Sequence, residues 1–106
     1  MSQCWVYMTT ASADEARRIG RALVEERLAA CANIIPGMTS FYWWQGKVDE
    51  GQETVLIAKT EQGLVETLTA RVKALHSYTV PCVVALPILG GNPDFLRWIT
   101  DETRKP

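Results

Sequence analysis

Residues Leu28 to Lys47 read Leu-Ala-Ala-Cys-Ala-Asn-Ile-Ile-Pro-Gly-Met-Thr-Ser-Phe-Tyr-Trp-Trp-Gln-Gly-Lys, and this stretch constrains the fold more than any other. From Cys31 to Gln45 it reads as one long β-strand, interrupted at Pro36-Gly37, where a proline in a strand pattern marks an edge position or a bulge. Successive side chains of a strand point to opposite faces. Ser40, Tyr42 and Trp44 therefore share one face, and Phe41 and Trp43 the other. A ribbon with aromatics on both faces exposes more apolar surface than a soluble monomer normally carries. Self-association is the simplest remedy, so a closed homo-oligomer is expected.

The remaining chain supplies the elements around that ribbon. Cys4 to Thr10 is a short run of aromatic and β-branched residues and reads as a first strand. Ser12 stands three residues before Glu15, the spacing of a capping box, with Asp14 also in the first turn. Ala16, Ile19, Leu23 and Leu28 then form an apolar stripe, which predicts a helix from Ala13 to Ala30. Gln45-Gly46 and Glu50-Gly51 are turn signals, and Glu53 to Thr60 reads as a strand that forms a hairpin with the long one. Leu64, Leu68, Val72 and Leu75 mark a second helix, ending near Ser77 with Pro81 preventing continuation. Cys82 to Leu89 reads as a fourth strand broken at Pro87. Asn92-Pro93-Asp94 then caps a final helix carrying Phe95, Leu96, Trp98 and Ile99. The order strand, helix, strand, strand, helix, strand, helix specifies an α+β domain of the split βαβ, ferredoxin-like kind, with helices on one face of an antiparallel sheet.

Several function classes lose support on composition. At 106 residues the chain makes one domain, large enough for a core without metal or disulfide staples. Its formal charge of −1 gives no electrostatic reason to expect nucleic acid or an anionic membrane. No apolar run approaches the ~20 residues that span a bilayer. The start Met-Ser-Gln-Cys-Trp lacks the basic segment of a signal peptide, so a cytoplasmic protein is expected. Cys4, Cys31 and Cys82 are odd in number and widely spaced, which argues for free buried thiols over a disulfide framework or a zinc ribbon. No G-x-S-x-G, phosphate-cradling glycine loop or H-E-x-x-H is present, so an enzyme is not expected.

Six segments, in order, carry a family likeness: Glu26-Arg-Leu-Ala-Ala-Cys-Ala-Asn33, Ile35 to Lys47, Glu53 with Lys59-Thr60, His76-Ser-Tyr-Thr-Val-Pro81, Ala85-Leu-Pro-Ile88 and Phe95-Leu-Arg-Trp98. With these the chain resembles the CutA divalent-cation tolerance proteins over nearly its whole length. The resemblance implies a trimer packed by edge pairing of the long strands, similar to the PII signalling proteins that bind effectors between subunits. It also implies tolerance to divalent metals, copper above all, with the ion held at or near an intersubunit cleft.

Two constellations follow. His76 is the only histidine, and neutral imidazole suits copper. It equally suits a capping histidine that orders the turn to Pro81. The family's metal pattern is broken at Met8, where some members have Cys, and at Leu75, where some have a second His. A thioether at Met8 weakens Cu(II) binding but still permits Cu(I). Cys82 stands where Glu is common and offers a thiol near strand four. The expected metal set is His76, Cys82 and Met8, completed across subunits. The second set is Glu53 and Lys59, on one face of a strand, with Tyr42, Trp44, Tyr78 and Trp98, expected as a cleft for an unidentified small-molecule or protein effector.

Overall fold

The computed structural model describes residues 2–104. In chain order these residues form β1 (Gln3–Thr10), α1 (Ala13–Glu25), β2 (Cys31–Trp44), β3 (Lys47–Glu61), a 3-10 turn (Gln62–Leu64), α2 (Val65–Leu75), β4 (Val83–Pro87) and α3 (Pro93–Glu102). The sheet order is β2-β3-β1-β4 with every neighbouring pair antiparallel. Each of α1 and α2 thus crosses between parallel strands that leave room for a third, the split βαβ topology expected from the element order.

Alternation along β1 decides which face is the core. Cys4, Val6, Met8 and Thr10 are buried, while Trp5, Tyr7 and Thr9 lie on the other face. The buried set packs against Ala16, Ile19 and Leu23 of α1, Leu68 and Val72 of α2, and Leu56 and Ala58 of β3. Each large apolar side chain so buried stabilises the fold by about 1.5–3 kcal/mol. Helix α1 lies so close to the sheet that a Cβ on Gly20 would stand 3.0 Å from Leu56 Cδ1 and 3.3 Å from Ala32 Cβ. Both predicted caps form: Ser12 Oγ accepts from Glu15 N at 3.1 Å, and Asn92 Oδ1 accepts from Asp94 N at 3.0 Å.

Several boundaries differ from the sequence expectation, three of them by enough to matter for the site. Helix α1 stops at Glu25, not Ala30, because Arg27 adopts a left-handed φ of 61° and the amides of Leu28 and Ala29 fold back onto the Leu23 carbonyl. Leu28 continues the apolar stripe and is buried, but as the residue that closes the helix end. Strand β3 begins at Lys47 instead of Glu53, since its polar first half pairs with the aromatic end of β2, Trp44 with Lys47 through Thr39 with Gln52. Gly51 accordingly lies within a strand and makes no turn; a Cβ there would sit 3.1 Å from the Tyr42 hydroxyl. Strand β4 runs only from Val83 to Pro87, leaving Cys82 in the preceding loop and Ile88 and Leu89 beyond its end.

The expected bulge is present as a register shift between Ile35 and Met38, with Gly37 at φ 80°. The hairpin closes through Gln45 (φ 52°) and Gly46 (φ 77°), the pair of positive angles that a type I′ turn requires. Beyond the bulge the β2–β3 ribbon runs out past the core as an arm. There Phe41 and Trp43 are 71% and 76% exposed. The sheet face away from the helices carries further half-exposed apolar groups, Trp5, Ile35, Val84 and Leu86.

Candidate functional site

The segment that follows α2 is held from three sides. Glu15 is buried, and its Oε1 accepts from the Ala11 amide at 2.9 Å while its Oε2 accepts from the Ser77 amide at 2.9 Å. The expected capping box forms only in its Ser12 half, because the Glu15 carboxylate reaches the Ala11 amide instead of that of Ser12 and also fastens the loop after α2. Burial raises the Glu15 pKa, but the amides of Ala11 and Ser77 and the adjacent His76 outweigh it and hold the carboxyl below its usual range. The His76 ring is fully buried. Its Nδ1 accepts from the Tyr78 amide at 3.0 Å, and its Nε2 lies 2.8 Å from the Thr9 carbonyl. That pattern assigns the proton to Nε2, which donates to Thr9.

Tyr78 carries the order outward. Its ring packs on His76 with centroids 4.6 Å apart, and its hydroxyl donates to Glu53 Oε2 at 2.9 Å. Burial, then the hydrogen bond and charge of Glu53, raise the Tyr78 pKa well above the ordinary phenol value, so it acts as a neutral donor. Between this loop and the hairpin arm lies an open cleft of about 640 Å³, whose walls include Tyr42, Trp44, Asp49, Glu53, Tyr78 and Cys82. Burial, and secondarily Glu53, pushes the Cys82 thiol pKa up.

The structure thus gathers Tyr42, Trp44, Glu53, Tyr78 and Cys82 at the cleft and places Met8, His76, Lys59 and Trp98 outside its lining. Met8 is fully buried on the core face of β1, beneath the helices, and cannot reach the cleft. His76 packs behind Tyr78 with both ring nitrogens engaged, the arrangement of a histidine that orders a turn. Lys59 shares the face of Glu53, but six positions along a strand is roughly 20 Å. Its Nζ donates to Asn33 Oδ1 at 2.6 Å and lies 5.7 Å from the centre of the Trp5 ring. Trp98 is on α3, stacked on Phe95 at 5.5 Å. Asp49 was missed; its signal was the alternation that puts it opposite Tyr42.

Among the described residues no cluster of three or more His, Cys, Asp and Glu side chains is arranged to hold a metal ion. What one chain presents to an ion in the cleft is the soft thiol of Cys82 and the carboxylates of Glu53 and Asp49. A complete donor set needs groups from elsewhere.

Comparison with known proteins agrees with the fold and the segments described. The family model described as CutA1 divalent ion tolerance protein matches residues 4–102. The divalent-cation tolerance protein CutA of Thermus thermophilus is 55% identical over 98 residues, covering 92% of this chain and 95% of that protein. The chloroplastic protein CutA 1 of Oryza sativa is 47% identical across 94% of this chain, which spans 56% of that longer relative. Among solved structures, CutA1 from Oryza sativa superposes with a TM-score of 0.96 at 44% identity, covering 100% of this chain and 97% of that one. The Thermus thermophilus protein does so at 0.94 and 53% identity, covering 96% and 99%. On this match of sequence over nearly every described residue, and of fold over the whole domain, the chain belongs to the CutA1 divalent ion tolerance protein family.

Proposed function

We propose that the chain serves divalent-cation tolerance as a homotrimer of PII-like packing, and that its working site is the cleft between the hairpin arm and the loop after α2, where a neighbouring subunit supplies the missing wall. Copper is the ion proposed. The observation that carries this reading is the presence of Cys82 and Glu53 in one open cleft built on an arm that its own chain leaves uncovered. Cu²⁺ heads the affinity order of the divalent first-row ions, a thiolate ligand strengthens its hold on copper, and carboxylate adds charge. The half-exposed apolar face of the sheet supports assembly, as does the arm with Phe41 and Trp43 in solvent. The role is binding, not catalysis, in keeping with the names that the family and its members carry. No helix among the described residues is long and apolar enough to cross a membrane, and three free thiols suit the reducing cytoplasm we assign.

The test is an anaerobic copper titration by calorimetry, with native mass spectrometry giving the subunit count. Binding at one ion per subunit should weaken at least about tenfold in Cys82→Ser. It should survive in His76→Gln, which keeps a donor and an acceptor but no imidazole. Because burial holds the Cys82 thiol protonated, copper must displace that proton, so affinity should rise with pH. Loss in His76→Gln with none in Cys82→Ser would move the ion out of the cleft, and a monomer would end the trimer reading. A second reading, an effector cleft as in PII proteins, is favoured by the aromatic walls Tyr42, Trp44 and Tyr78.

A further inference from the structure

We infer that this cleft recognises a small organic cation, an ammonium group on an aliphatic body, with Glu53 and Asp49 as counter-charge and Tyr42, Trp44 and Tyr78 as its aromatic walls. The inference rests on the reading that the cleft is the working site, and it names the class of effector.

The charge pattern comes first. Among the described residues two carboxylates line the cleft, and no lysine, arginine or histidine does. Lys47, opposite Trp44 at the hairpin turn, is outside the lining. Glu53 uses Oε2 to accept from the Tyr78 hydroxyl, and Asp49 uses Oδ1 to accept from the Glu50 amide. Among the described residues the second oxygen of each carboxylate takes no hydrogen bond, so each can still accept from an N–H donor. The charge of this lining disfavours an anion.

The walls then distinguish between cations. Aromatic faces do not ligate strongly hydrated inorganic ions, but they attract weakly hydrated ammonium groups through the ring quadrupole. Three aromatic residues whose side chains share the face of Glu53 or pack against it, Tyr42, Trp44 and Tyr78, line the cleft. Tyr78 is held as a neutral donor, so it leaves the charge of Glu53 for the ligand. A volume of about 640 Å³ is ample for a short alkyl amine.

The experiment uses the intact assembled protein and three probes: n-butylammonium, tetramethylammonium and the uncharged n-pentanol. Tryptophan fluorescence and calorimetry report binding, with Glu53→Gln, Trp44→Ala and Arg21→Gln alongside. The two ammonium ions should bind, n-pentanol at least about tenfold more weakly, and Glu53→Gln and Trp44→Ala should each weaken the ammonium ions by about tenfold. Arg21→Gln, at an exposed position on α1 outside the cleft lining, should bind them as the parent does. Equal binding of n-pentanol would reduce the site to an apolar groove and overturn the inference. So would absence of ammonium binding at millimolar concentration, including the case in which a neighbouring copy's own cationic side chain fills the cleft. Ammonium binding lost with copper binding intact would sink this inference alone, whereas loss of both would sink the cleft as the working site.

Discussion

Removing the Glu15 carboxylate should both destabilise the fold and loosen the cleft, because this one side chain joins the start of α1 to the loop after α2. In Glu15→Ala the amides of Ala11 and Ser77 lose acceptors held at 2.9 Å each, in a partly buried setting. A buried donor left unsatisfied costs about 1–3 kcal/mol, and partial burial puts each of these in the lower half of that range. The expected loss is therefore about 2–4 kcal/mol, a large share of the roughly 5–15 kcal/mol typical of a domain. Glu15→Gln keeps one acceptor and turns an amide NH₂ toward the other N–H, so it should lose about half as much. Guanidinium denaturation at fixed protomer concentration measures both, since assembly makes apparent stability depend on concentration. The pH dependence supplies a second signature. The folded-state pKa of Glu15 lies below its ordinary value of 4.5, so its stabilisation is complete above that value and is lost as pH falls through the folded one. Glu15→Gln should flatten that acid limb. A loss below about 1 kcal/mol in Glu15→Ala, with the acid limb unchanged in Glu15→Gln, would refute the reasoning.

Two further substitutions test the packing and the turn. Gly20→Ala gains about 1 kcal/mol of helix propensity but meets Ala32 Cβ at 3.3 Å, which has no rotamer to yield, and Leu56 Cδ1 at 3.0 Å inside a filled core. It should lower the denaturation midpoint, for a net cost of about 1–2 kcal/mol; a rise would mean that α1 can move off the sheet freely. Gln45→Asn places at φ 52° a residue that tolerates the left-handed region, completing an Asn-Gly turn, and should raise stability by roughly 0.5 kcal/mol. An unchanged or lower melting temperature would mean that the left-handed conformation costs Gln45 nothing.

What the sequence determined by itself is what is written within a few residues. The alternation of Cys4, Val6 and Met8 with Trp5 and Tyr7 identifies a strand and its buried face. Ser12 and Asn92 start helices because their side chains reach amides two or three positions on. Pro36-Gly37 disturbs the ladder and Gln45-Gly46 closes the hairpin through local backbone angles. The element order then leaves few topologies, and the split βαβ sheet is the one formed. Tertiary structure decided the rest. Leu28 continues the stripe of α1, yet Arg27 ends the helix, because the chain must turn back to lay β2 on the sheet. Lys47 to Gln52 have little strand character alone and pair only because β2 lies beside them. Alternation put Lys59 and Glu53 on one face but could not say that distance separates them, nor that the loop after α2 would bring Tyr78 and Cys82 to Glu53. The two-residue period of a strand tells which side a group faces; only the register between strands and the anchoring of loops tell which groups meet.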